Sequence, residues 1–216
     1  MNIFIACGAN DLQVLDKLHS GSYHLEESYF YGKRWDKIYC FEPTPDFPHM
    51  KLIVSKVLPN GEHWLIKGGK ADPDYFVERF GPDTKIEYIN KAIWTKNTKI
   101  DFYNWGSDRH YSNTMCPDKG KDRPTNEVDA IDFDEWLKEN VSKEDYVFCD
   151  MDIECAEYKI LPHLIKNKSI ELIDDLAVEW HSSKCGSWFK GGDNVKLEKQ
   201  LKKKTNILDH NEIGIG

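Results

Sequence analysis

Ile3-Phe4-Ile5-Ala6-Cys7-Gly8-Ala9-Asn10-Asp11 is the stretch on which the fold turns. An apolar run of β-branched and aromatic residues suits a strand buried on both faces, as in a parallel sheet. It stops in a turn of small residues, and residues 12–18 then carry helical spacing. Strand, tight turn and helix make the first half of a βαβ unit. Cys7, Gly8, Ala9, Asn10 and Asp11 are small enough to let a ligand lie against the backbone. The helix that follows would offer its N-terminal amides as donors. The turn is not a G-x-G-x-x-G fingerprint and no P-loop lysine follows it; a plain βα turn is the bland alternative.

Working outward, residues 37–41, 85–90, 146–149 and 172–179 repeat the pattern of a short apolar run ending in small or acidic residues. Helical spacing lies between them: residues 132–140 start acidic and end on a basic residue and Asn, as helix termini prefer. Residues 156–165 put Ile160, Leu161, Leu164 and Ile165 on one face around Pro162, and residues 194–204 form a lysine-rich late helix. The expected fold is therefore α/β, a doubly wound, mostly parallel Rossmann-like sheet in a single domain over 1–216. Right-handed crossovers then place ligands at the carboxyl ends of the strands. Two stretches depart from the pattern and elaborate the middle of the chain. Residues 56–84 are rich in Gly and Pro, with one short helix expected at 75–80. Residues 104–127 are polar and turn-rich, a substrate loop with Arg109, His110 and Tyr111 as contacts.

The chain has 216 residues, 40% hydrophobic and 31% charged, with a formal charge of -8. These values suit one soluble globular domain. They argue against a broad phosphate-binding surface, so no nucleic-acid partner is expected. The apolar start at residues 1–7 is too short to cross a bilayer, so neither a signal peptide nor a membrane partner is expected. Six scattered cysteines without a C-x-x-C pair point to a reducing, cytoplasmic compartment and away from structural zinc.

The polar strand tips carry the chemistry. Glu42 ends the second strand, where a carboxylate can accept both hydroxyls of a ribose. Asp150 and Asp152 form a D-x-D pair, and Glu179 and His181 an E-x-H pair, each two apart and so expected to project together. Two readings of that cluster stay open. In one, Asp152 and His181 are catalytic, with an imidazole of ordinary pKa about 6.5 taking a proton from a hydroxyl nucleophile. In the other, Asp152, Glu179 and His181 hold a divalent cation, manganese or magnesium rather than zinc for an oxygen-rich set. Glu154 and Glu157 open the next helix, where acids stabilise the N-terminus in any case.

Five blocks in order resemble the FkbM-type methyltransferases. The family's "FIDVGANxG" resembles residues 4–10, and "xxFEPxP" resembles Cys40-Phe41-Glu42-Pro43-Thr44-Pro45. An "NxA" block with an aromatic strand after it resembles Asn90-Lys91-Ala92 and Ile100-Asp101-Phe102-Tyr103. "VDxxxLDxWL … KxDIEGAExxVL" resembles Val128 through Leu137 and then Met151 through Leu161; a late "ExH" resembles Glu179-Trp180-His181. The resemblance implies an S-adenosylmethionine-dependent O-methyltransferase acting on a sugar or glycan hydroxyl. It adds Pro43, Asn90 and Ala92 to Cys7–Asp11 and Glu42 as cofactor contacts. Ala6 stands where the family carries an acid, and Asp150 or Asp11 is expected to take over that role. Asp150 also replaces a lysine, and Cys155 a glycine. A looser resemblance is to compact methyltransferases of large viruses that modify glycan sugars. With the sequence starting almost on its first strand, no helical cover is expected over the site, which suits the end of a glycan chain. The competing expectations are a nucleic-acid methyltransferase on the same fold and an inactive binding module, the latter motivated by Ala6.

Overall fold

The computed structural model describes residues 1–9, 14, 15, 18, 33–44, 55–57, 63–65, 80, 83–104, 113–182 and 185–209. The strands are β1 (Asn2–Cys7), β2 (Lys37–Phe41), β3 (Ser55–Val57), β4 (His63–Leu65), β5 (Lys85–Ile89), β6 (Ala92–Trp94), β7 (Thr98–Tyr103) and β8 (Thr125–Asp132). Helix α1 (Phe133–Asn140), β9 (Tyr146–Met151), α2 (Glu157–Asn167), β10 (Asp175–Val178), α3 (Asp193–Leu201) and β11 (Asn206–Asp209) follow.

Six strands form one sheet in the order β11-β10-β9-β1-β2-β5. Every neighbouring pair in it is parallel. The chain moves outward from β1 through β2 to β5, then returns to β9 on the other side of β1. The order therefore reverses between β1 and β9, and the crevice for a ligand opens there, at the carboxyl ends. This is the expected doubly wound sheet.

The pleat divides β1 between two core layers. Ile3, Ile5 and Cys7 face the layer closed by Phe133 and Leu137 of α1 and Ile160, Leu161 and Leu164 of α2. Phe4 and Ala6 face the other, with Val14, Leu15, Leu18 and Trp35. There the Phe4 ring stacks on Phe148 at 5.5 Å and meets Trp35 edge-on at 5.4 Å. Helix α1 starts where its sequence says: Asp132 caps it, accepting from the amides of Asp134 and Glu135.

A second, three-stranded sheet, β6-β8-β7, lies on the first layer, with β6–β8 parallel and β7–β8 antiparallel. It buries Ala92, Ile93, Phe102, Val128 and Ala130 against the main core. Part of the polar stretch 104–127 is thus strand, and β3 and β4 pair antiparallel in the Gly/Pro-rich region. Residues 172–179 are corrected as well: Ser169–Leu172 is a turn of 3-10 helix, and the strand is only Asp175–Val178. The short helix expected at 75–80 lies outside the described residues except for Phe80.

The reading of all six cysteines as reduced does not hold. Cys155 and Cys185 form a disulfide, with Cα atoms 5.5 Å apart, while Cys7, Cys40, Cys116 and Cys149 are buried free thiols. Disulfides persist in oxidising surroundings, so a cytoplasmic location loses its cysteine argument. Among the described residues, no helix is long and apolar enough to cross a membrane.

Candidate functional site

A cleft opens at the carboxyl ends of the central strands. Gly8, Glu42, Pro43, Ala92 and Asp152 line it, as expected, and so does Glu154. Phe41, Ile93, Phe102 and Met115 supply an apolar wall.

Gly8 is fixed by geometry. Its φ is +87°, and a Cβ there would lie 1.8 Å from the Asp152 carbonyl oxygen. Only glycine suits both the left-handed backbone and the close approach of β1 to the end of β9. The amides of Gly8 and Ala9, however, both donate to the Phe41 carbonyl, at 3.0 and 2.9 Å. Those two donors tie the turn to β2, while the start of the following helix, whose amides are the expected donors, lies outside the described residues. Cys7 and Ala9 are buried rather than cleft-lining, and Asn10 and Asp11 lie outside the described residues.

Glu42 is buried at the tip of β2, and its Oε1 accepts from both the Thr44 amide and hydroxyl. Asn90 acts from behind: its side-chain NH2 donates to the carbonyls of Glu42 (2.8 Å) and Thr44 (2.9 Å). It fastens the 42–44 turn and is not among the cleft-lining residues. The D-x-D pair is also divided. Asp150 pairs in register with Ala6 and is buried on β9, whereas Asp152 has left the strand and lines the cleft. Asp150 stands across from Ala6 in the register, one strand over, and is not among the cleft-lining residues.

The E-x-H pair does converge with Asp152. His181 Nε2 lies 3.6 Å from Asp152, 3.7 Å from Glu179 and 3.3 Å from Glu154. On the other side of the ring, Nδ1 lies 3.3 Å from the fully buried Glu157 carboxylate, which also accepts the His181 amide at 2.9 Å. Glu157 thereby contacts His181 at both the ring and the backbone amide. Burial disfavours the imidazolium, yet Glu157, with added attraction from Asp152, outweighs it and raises the His181 pKa, against an opposing push from Lys119.

Glu154 and Glu157 were legible as helix-opening acids, with a substrate role as the open alternative. Their placement depends on a sharp corner: Glu154 and Cys155 both have positive φ, 53° and 84°. Left-handed backbone is costly for non-glycine residues and concentrates at functional sites. Cys155 stands where the FkbM pattern has glycine, and its conformation explains that glycine. The disulfide to Cys185 ties this corner to the loop after His181. Lys119 completes the group: its buried ammonium pairs with Glu154. It comes from a polar loop that carries no sequence signal for such a role.

A divalent ion has a plausible donor set here. Ligand atoms of Asp152, Glu154 and His181 all lie within 4.8 Å of one another, and Glu179 is beside them. The clustered set is therefore Asp152, Glu154 and His181, with Glu154 in the place that the metal reading of the sequence gives to Glu179. A second acid–histidine group, Asp132, Asp134 and His163, already has structural work in capping α1 and pairing with Lys138. Trp188 packs on Trp94 with ring centres 5.4 Å apart, an anchoring role, while Trp105, Arg109, His110 and Tyr111 lie outside the described residues.

A family described as a domain of unknown function (DUF7870) matches residues 77–201, more than half of the chain. The chain belongs to that family. The matched span contains Lys119 and the whole group from Asp152 to His181, whereas Gly8 and Glu42 precede it. No curated protein and no solved structure matches.

Proposed function

We propose that the protein is an S-adenosylmethionine-dependent O-methyltransferase acting on a hydroxyl of a sugar or glycan. One observation carries the reading: the glycine turn, the β2-tip carboxylate and the acids Asp152 and Glu154 line one cleft of a doubly wound sheet, and His181 stands directly behind those two acids. The likeness to FkbM-type enzymes in five ordered blocks supports it. The fit to the cofactor rests on Gly8, where the lack of a side chain brings backbone to the cleft, and on Glu42, a buried carboxylate beside it.

Glu42 accepts the ribose hydroxyls, held in place by Thr44 and, through the backbone, by Asn90. The apolar wall of Phe41, Ile93 and Phe102 takes the less polar part of the cofactor. When bound, the cofactor would supply an electrophilic sulfonium methyl group for transfer to the acceptor oxygen. His181 Nε2 receives the proton that the acceptor hydroxyl gives up, and Glu157 holds the ring and steadies its positive charge. Asp152 orients the acceptor from the cleft side.

The acid–imidazole group also supports a second reading, in which Asp152, Glu154, Glu179 and His181 hold manganese or magnesium. The ion would lower the pKa of the acceptor hydroxyl.

Calorimetric titration with S-adenosylhomocysteine, with and without manganese, tests the proposal. Binding is expected; Glu42→Ala should weaken it, and His181→Ala should abolish methyl transfer while leaving it nearly unchanged. No binding at millimolar ligand would overturn the methyltransferase reading in favour of a binding module.

A further inference from the structure

We infer that Lys119 is the resident cation of the acid–imidazole group, and that a divalent metal ion enters only by displacing its ammonium from Glu154. The inference stands apart from methyl transfer, since it concerns only which cation the acids hold.

The geometry sets up a direct competition. Lys119 pairs with Oε2 of Glu154, the same oxygen that faces His181 Nε2 at 3.3 Å. Glu154 is in turn one of the three residues whose ligand atoms cluster closely enough for one ion. An ammonium and a divalent ion sharing one carboxylate oxygen would repel each other strongly where that oxygen is shielded from water. The Lys119 side chain is only 8% exposed and that of Glu154 16%, so solvent does little to screen them.

Lys119 is also held where it is. Its loop is fastened to both halves of the site: the Thr114 hydroxyl donates to the Glu154 carbonyl at 2.6 Å, and Asp118 accepts the Ser187 amide at 2.9 Å. The next residue, Gly120, has no room for a side chain against the Tyr103 ring, with 2.1 Å to its Cγ. The lysine therefore reaches Glu154 from an anchored turn.

The charge balance leaves a reason for exchange. Asp152, Glu154, Glu157 and Glu179 surround His181, and Lys119 is the cation seen pairing with Glu154. Four carboxylates against one lysine and one imidazole leave the group acidic, so a metal ion is attracted while the lysine opposes it.

The experiment is a Mn2+ titration of the full chain, read from loss of the free-ion electron paramagnetic resonance signal. Removing the competitor in Lys119→Met should tighten Mn2+ binding by about tenfold or more, the size of an ordinary coupling between two ligands. Lys119→Arg keeps a cation and should bind no more tightly than the wild type. Adding Glu154→Gln to Lys119→Met should cancel the gain. If Lys119→Met does not fold without metal, Mn2+ should restore its folding, read by circular dichroism. Equal or weaker binding by Lys119→Met, no binding by either protein, tighter binding by Lys119→Arg, or no recovery of folding with Mn2+ would each overturn the inference.

Discussion

At Gly8, one absent methyl group lets β1 and the end of β9 approach. A Cβ would meet the Asp152 carbonyl at 1.8 Å, and the backbone is left-handed. Gly8→Ala should therefore lose about 3 kcal/mol or more, combining left-handed strain with overpacking against backbone that cannot yield. Equilibrium urea unfolding measures this, and a loss under 1 kcal/mol would mean the approach is looser than described. His181 offers a different kind of test. Its pKa is raised above the ordinary 6.5 because Glu157 and Asp152 outweigh the cost of burial. Folding thus binds the proton more tightly than the unfolded chain does. The stability this supplies is complete below pH 6.5 and is lost as pH rises through the folded-state value. Glu157→Gln should lower the His181 midpoint in an NMR titration and shrink that stabilisation. An unchanged midpoint would remove Glu157 from its positioning role.

The corner between β9 and α2 is where local chemistry and element geometry meet. Two consecutive non-glycine residues in left-handed backbone are held there by a disulfide whose partners are 30 residues apart in sequence. Closing a loop of that length restricts the unfolded chain enough to stabilise by about 3 to 4 kcal/mol. Cys155→Ala with Cys185→Ala should lose that amount in thermal or urea unfolding. Cys155→Gly with Cys185→Ala should recover about 1 kcal/mol of it, since glycine adopts φ of 84° freely. No recovery would mean the corner relaxes once the bridge is gone. The cysteines show what sequence reasoning could and could not reach. Residues 2–7 and 37–41 were legible as strands because they are buried on both faces, and α1 because Asp132 caps it. The pairing of Cys155 with Cys185 was not legible: no spacing rule links two cysteines on separate loops. Strand β8 was hidden as well, because only Val128 and Ala130 of its eight residues are fully buried.

For the molecule as a whole, the order β11-β10-β9-β1-β2-β5 decides what can meet. Gly8, Glu42 and Asp152 come from three adjacent strand ends, which is why their union was legible from the glycine turn and the acids at the other two tips. The D-x-D pair was misread because the two-residue alternation was carried past Met151, where β9 ends and Asp152 leaves the strand. Lys119 and the orienting role of Glu157 depend on loop paths, for which the sequence offers no period or cap. Assembly of one site from β1, β2 and β9 also means that a ligand bound there binds only the folded sheet. Saturation with S-adenosylhomocysteine at about 100 times its Kd should then raise the unfolding free energy by about 2.7 kcal/mol. The two ends of the cleft should respond differently. On the proposed function, Glu42→Ala should remove most of that increment, whereas His181→Ala, assigned there to the acceptor, should keep it. A full increment in Glu42→Ala together with its loss in His181→Ala would reverse the orientation, placing the cofactor against the acid–imidazole group and the acceptor against the β2 tip.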